Sequence, residues 1–346
     1  MKPAYAWLRR GLFSLPPEAA HELALESMKF AGHFGLPRLF AGRPVDSPIE
    51  LMGLVFPNAV GLAAGMDKNG DYIDALGQLG FGHLELGTVT PRPQPGNPKP
   101  RSFRIKKANA AINRMGFNNK GVDHLVERLK NHRYRGIIGA NIGKQKETPV
   151  DAAVGDYLEC LRKVYPHCDY VAVNVSSPNT ANLRELQQSG RLRELLDALV
   201  AERESLQGDD GERRPLVVKI APDWEDDALT EALGTIADAG IDGLIATNTT
   251  VARDAVAGLP NADEEGGLSG ASVLEPSNRV LARAREVLGA DYPIIGSGGV
   301  MSAEDAVSKL RAGADLVQLY TGFIYHGPDL IADCARAIDE ALAHAD

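Results

Sequence analysis

"YVAVNVSSPNT" (170–180) decides how this chain folds. Its first four residues, Tyr170 to Val173, are apolar without a break, and the run ends in Asn174, two serines and a Pro-Asn turn. Successive strand residues face opposite ways, so a strand apolar at every position must be covered on both sides. Such strands belong to parallel sheets clad in helices, and their polar ends are where chemistry collects.

Working outward, the same pattern recurs in "AVGLAAG" (59–65), "HLELGTV" (83–89), "IIGANIG" (137–143), "LVVKIAP" (216–222), "GLIATNT" (243–249), "PIIGSGG" (293–299) and "LVQLYTG" (316–322). Stretches with helical period lie between most of them, such as "GVDHLVERLKNH" (121–132), "RLRELLDALVAERE" (191–204) and the final "LIADCARAIDEALAHA" (330–345). Eight strand and helix units predict an α/β protein, a closed (β/α)8 barrel of the TIM type. A doubly wound open sheet is the alternative; the count of eight and the lack of an early G-x-G-x-x-G disfavour it.

Length alone does not decide the domain count: 346 residues could hold two average domains, but α/β barrels commonly run to about 250 residues as one unit. With 44% apolar and 24% charged residues the chain reads as globular and large enough for a sizeable core. A net charge of −9 argues against nucleic acid as a partner. Cys160, Cys168 and Cys334 form no C-x-x-C pair and read as ordinary core thiols, and no zinc or iron-sulfur cradle is indicated. No apolar run is long enough for a signal peptide or a membrane span, so the expected compartment is the cytoplasm.

In a barrel the strand tips share one face. Here they bring Ala63, Ala64, Gly65, Lys68, Thr88, Asn141, Asn174, Ser177, Asn179, Lys219, Thr247, Asn248, Thr249, Gly298, Gly299, Tyr320 and Thr321, with no His and no Asp/Glu pair. That set excludes most metal-hydrolase and glycosidase chemistry, and no metal is expected. "GSGGVMSAEDA" after the seventh strand has glycines ahead of a helix start, which lets backbone N–H groups approach a phosphate. A phosphate there, with Lys219 and Asn141 nearby, suits a mononucleotide such as FMN, on which Lys219 stabilises negative charge on the reduced ring. Lys219 as a Schiff-base lysine remains the competing reading. Asn113, Asn174, Asn179 and Asn248 offer both donors and acceptors, a match for a flat ring edged with alternating N–H and C=O, as a pyrimidine is.

Together these stretches resemble the dihydroorotate dehydrogenases, and within them the membrane-associated, quinone-dependent class. "GLAAGMDKNG", "GTVTPRPQPGNPKPR", "NRMGFNNKG", "NIGKQKETP", "NVSSPNT", "VVKIAPD", "ATNTT", "GGLSG", "IIGSGGV" and "LYTGFIYHGP" stand in that family's order across nearly the whole chain. The resemblance implies one FMN per chain, contacted by Ala63, Ala64, Gly65, Thr88, Asn141, Asn174, Lys219, Thr247, Gly270, Gly299, Tyr320 and Thr321. It implies dihydroorotate or orotate against Lys68, Asn113, Met115, Gly116, Phe117, Asn174, Asn179, Asn248 and Thr249, with Lys68 facing the carboxylate. Ser177 resembles the family's catalytic base, taking a proton from C5 while C6 delivers hydride to flavin N5; the soluble classes carry cysteine there. A serine hydroxyl needs help as a base, and a relay through Thr180 to water beneath Phe117 is expected. Ser176 is expected to point away and serve packing.

Residues 1–45 precede the first barrel strand and read as two helices, "AYAWLRRGLF" and "EAAHELALESMKFAGHF", the second begun by Pro16-Pro17-Glu18. Lys2, Arg9, Arg10, Lys29, Arg38 and Arg43 outnumber Glu18, Glu22 and Glu26 there, beside Trp7, Leu8, Leu12, Phe13, Leu23, Met28 and Phe30. The composition suits either an interfacial amphipathic element or a cap over the barrel. The resemblance implies the former: an extension that docks on the membrane and leads a quinone to the flavin, with residues 46–346 as the FMN barrel. The expected state is a monomer, peripheral on the cytoplasmic face of the cell membrane.

Overall fold

The computed structural model describes residues 3–43, 45–187, 189–207 and 211–344; Lys2 and Ala345 lie outside them. Eight parallel strands close a barrel: β1 (Val60–Leu62), β2 (His83–Val89), β3 (Ile137–Ile142), β4 (Tyr170–Asn174), β5 (Leu216–Ile220), β6 (Gly243–Ala246), β7 (Ile294–Ser297) and β8 (Leu316–Leu319). Each neighbours the next in chain order, and β8 returns to β1. The open-sheet alternative is thereby excluded. Helices follow the strands and cover them, from a short turn at Ile73–Gly77 to Asp329–Ala343 at the end.

The barrel interior is filled rather than hollow. Gly61 on β1 and Gly139 on β3 leave room for two rings: a Cβ on Gly61 would sit 2.0 Å from the His83 ring, and one on Gly139 2.1 Å from that of Tyr170. Below them a hairpin, Ile49–Leu51 with Leu54–Phe56, closes the floor and sets Phe56 edge-on against His83 at 5.4 Å. These short strands, and a three-stranded antiparallel sheet of Ser102–Ile105, Ala110–Asn113 and Gly267–Gly270 beside the barrel mouth, add to the eight-unit pattern expected from the sequence.

Two N-terminal helices precede the barrel, α1 (Pro3–Leu12) and α2 (Pro17–Gly32), followed by a turn of helix at Pro37–Phe40. Pro17 occupies the first helical position, where its missing N–H has no intrahelical partner to lose. α2 buries Ala20 and Leu25 against the barrel, and α1 is tied to it by Tyr5 OH donating to the Ile324 carbonyl (2.8 Å) and Arg9 Nη1 to that of Tyr325 (2.7 Å). The outward faces carry exposed apolar side chains, Trp7, Leu23, Phe30, Phe34 and Leu39, among charged ones such as Arg10, Glu22, Glu26 and Arg38.

Candidate functional site

The strand tips open into one cavity at the C-terminal face of the barrel, extended upward by the antiparallel sheet. It is lined by every residue assigned from the sequence to cofactor or substrate except Asn141, and Ser177 is in its wall. Asn141 lies one layer lower, with no exposed surface, accepting from Thr88 Oγ1 at 2.5 Å and donating Nδ2 to Glu85 at 2.8 Å. It supports the floor of the cavity and does not line it.

The asparagines interlock. Asn174 Nδ2 donates to Thr88 Oγ1 (3.0 Å), Asn248 Nδ2 to Asn174 Oδ1 (3.3 Å), and Asn179 Nδ2 to Asn113 Oδ1 (3.2 Å). Each amide is oriented by its neighbour, while Asn179 Oδ1 is buried without a protein partner. A fixed, partly unsatisfied polar rim is what a ring with set donors and acceptors requires.

Ser177 follows β4 on a buried loop, its Oγ accepting from the backbone N–H of Asn179 at 3.3 Å. The loop is clamped from outside by Arg184, which donates to the carbonyls of Ser176 (3.1 Å) and Thr249 (3.2 Å) and pairs with Asp223 at 2.9 Å. Thr180 Oγ1 is buried and unpartnered within the protein. Ser176 points away from the mouth as expected, but its role is polar: Oγ donates to the Lys219 carbonyl (2.7 Å) and accepts from Asn248 Nδ2 (3.1 Å).

Two lysines differ in setting. Lys68 donates to the Gly65 carbonyl at 2.8 Å, and burial, opposed by the charge of Glu18, brings it down to about 8. Lys219 projects from β5 into the cavity floor, 3.5 Å from the carboxylate of Glu85 on β2, a residue inside a strand that no sequence motif marks as part of the site. At the far edge, Gly298 and Gly299 turn the chain after β7 with positive φ, and a Cβ on Gly299 would lie 2.3 Å from the Leu274 backbone. Only glycine fits there, and the cavity meets bare main chain.

A second, apolar cavity of about 1840 Å3, its open mouth included, lies between the N-terminal helices and the barrel. Tyr5, Leu8, Leu12, Phe13, Met28 and Phe40 line it, with His21, Arg104 and Tyr325 as polar points. Burial, with the charge of Lys68 adding to it, brings His21 down to about 3, so its ring is neutral. Arg104 stands 4.5 Å over the Phe13 ring and donates to the Leu15 carbonyl. Lys68, Asn113, Met115, Ser269, Tyr320 and Thr321 line both cavities, a shared wall that the sequence does not announce because it is made from segments far apart in the chain.

Comparison with known proteins shows the family. Residues 48–342 match the family model described as Dihydroorotate dehydrogenase. The chain is 54% identical over 334 residues to the dihydroorotate dehydrogenase (quinone) of Azotobacter vinelandii, covering 96% of each chain. It is 53% identical to the protein of that name from Delftia acidovorans, over 96% of this chain and 97% of the other. Among solved structures, the dihydroorotate dehydrogenase of Eimeria tenella in complex with ferulenol superposes with a TM-score of 0.87 at 36% identity, over 95% of this chain and 92% of that one. The chain belongs to the dihydroorotate dehydrogenase family.

Proposed function

We propose that the protein oxidises dihydroorotate to orotate in pyrimidine biosynthesis, with bound FMN accepting hydride and a membrane quinone as final electron acceptor. The observation that carries this reading is the shared wall: a polar cavity shaped for a flat heterocycle abuts an apolar cavity open to the outside. A dehydrogenase with two dissimilar substrates and one relay between them needs that arrangement.

The residues fit the flavin. Ala63, Ala64 and Gly65 offer a wall with little side chain, and a Cβ on Gly65 would press to 3.3 Å from the Tyr320 ring. The glycine turn at 298–299 supplies close main chain for a phosphate, and Lys219 a cation for the electron-rich end of the ring. When bound, FMN supplies the hydride acceptor that no side chain provides.

The chain's own groups do the rest. Asn113, Asn174, Asn179 and Asn248 orient the pyrimidine, with Met115, Gly116, Phe117 and Thr249 closing around it, and Lys68 meets its carboxylate as a point charge. Ser177 takes the substrate proton, and the unpartnered hydroxyl of Thr180 in the same loop supports a relay from it. Residues 1–45 form the quinone entrance. Their exposed Trp7, Phe30, Phe34 and Leu39, beside Arg10, Lys29 and Arg38, suit a peripheral seat on the cytoplasmic face of an anionic membrane. No helix among the described residues is long and apolar enough to cross a membrane. A monomer suffices, because both cavities are built from one chain.

The deciding experiment is the visible spectrum of the purified protein, followed by dihydroorotate without oxygen and then a quinone. A flavin spectrum that bleaches with dihydroorotate and returns with quinone is the expected result. A protein that stays colourless when FMN is supplied overturns the proposal.

A further inference from the structure

We propose that Glu85 is a positioning residue that sets the electrostatic strength of Lys219, and through it the redox potential of the bound flavin. The inference rests on the FMN reading above. Glu85 sits in the middle of β2 on the inward face and has no exposed surface. Its Oε1 accepts from Asn141 Nδ2 at 2.8 Å and lies 3.5 Å from Lys219 Nζ; its Oε2 accepts from Gln318 Nε2 at 2.7 Å and Tyr170 OH at 3.2 Å. All four partners present hydrogens, the environment of an ionised carboxylate, which is an acceptor only.

Apart from Lys219, the neighbouring groups add no charge. Burial, reinforced by Glu85 itself, pushes the Tyr170 phenol well above its usual range, so it stays protonated and donates. Burial brings His83 down to about 4, which leaves it neutral. Among the described residues Lys219 is the one cation paired with Glu85. A buried carboxylate is costly, and glutamine would fill the same space without charge.

The consequence lies in the cavity. Lys219 lines it and Glu85 does not, so a bound flavin meets an ammonium whose field is partly cancelled from behind. A bare cation favours the electron-rich reduced flavin strongly, which eases its reduction by dihydroorotate and hinders its reoxidation by quinone. The Glu85 charge holds the potential between the two half-reactions.

The test is the midpoint potential of the flavin in wild type and Glu85→Gln, measured by spectroelectrochemistry. The expected result is a rise in the variant, with the reduced form favoured about tenfold more, or about 30 mV for a two-electron couple. If the variant loses flavin on purification, the dissociation constants for oxidised and reduced FMN give the same ratio, and the reduced form must bind about tenfold tighter relative to the oxidised. If Glu85→Gln does not fold, Glu85→Asp, which draws the charge back by one methylene, must raise the potential in the same direction. An unchanged or lowered potential in a variant that holds flavin overturns the inference. Failure of the FMN reading is distinct: the wild type then binds no flavin and has no potential to measure.

Discussion

Glu18, on the second N-terminal helix, meets Arg101 with its Oε1 2.7 Å from Nη2, while Arg101 Nη1 donates to the carbonyls of Pro95 and Asn97. Asn97 in turn donates Nδ2 to the Asn179 carbonyl at 3.0 Å. The helix beside the apolar cavity is therefore joined by three contacts to the loop that carries Ser177. Burial opposes ionisation of Glu18, but the hydrogen bonds and charges of Arg101 and Lys99 outweigh it and hold the carboxyl below its ordinary 4.5.

Glu18→Gln is expected to cost about 1–2 kcal/mol of stability at neutral pH, because a nearly buried guanidinium loses its charged partner. A carboxyl whose folded-state pKa is lowered stabilises the fold above its unfolded-state value, and the contribution fades as pH falls from there through the folded-state value. The gap between wild type and variant in urea unfolding should thus narrow below about pH 4.5. A gap that stays constant on acidification contradicts the pairing.

Ser177→Ala is expected to keep the flavin and its spectrum while anaerobic bleaching by dihydroorotate slows by about 10²- to 10⁴-fold, the range of a lost general base. Stopped-flow absorbance reads this step without quinone. Full-speed bleaching in the variant removes Ser177 from the chemistry.

Lys68 at about 8 in the free protein predicts a titration in kcat/KM for dihydroorotate. The ammonium proposed to attract the substrate carboxylate is present below that value and lost above it, so kcat/KM should fall through the region of pH 8 and beyond. Lys68→Gln should lower kcat/KM below that pH and flatten this limb, the two profiles converging above it. If the limb persists in the variant, another group titrates.

Deleting residues 1–45 is expected to leave bleaching by dihydroorotate largely intact and to abolish reoxidation by quinone, since the apolar cavity loses one side and the strand-tip cavity keeps its ring of barrel residues. The same truncation should end flotation with vesicles containing anionic lipid. Unchanged quinone turnover in the shortened protein would refute the role given to these helices.

Much of the barrel is legible in the chain because its determinants are local. A strand covered on both sides is mostly apolar, and the polar residue that ends it marks the tip; "YVAVNVS" and "LVVKIAP" carry that information within seven residues, whereas "HLELGTV" places His83 and Glu85 inside the barrel. The floor hairpin and the antiparallel sheet escape such reading. Their strands are three or four residues long, and Gly267–Gly270 pairs with Ala110–Asn113, a partner more than 150 positions away that no local pattern names. Among the site residues, Asn141 shows the limit: the strand end is legible, but whether its amide reaches the cavity or stops beneath Thr88 depends on register between strands.

By itself, then, the sequence determined the eight strands, the polar set at their tips and the apolar, basic character of the first 45 residues, because periodicity and composition are properties of neighbouring residues. Only the tertiary structure decided that Glu85 stands behind Lys219, that Glu18 reaches Arg101, and that the two cavities share a wall at Lys68 and Tyr320. Those relationships join residues tens to hundreds of positions apart. Closure of the barrel and the docking of the N-terminal helices beside it set them, and the burial they impose governs the charges of the groups enclosed.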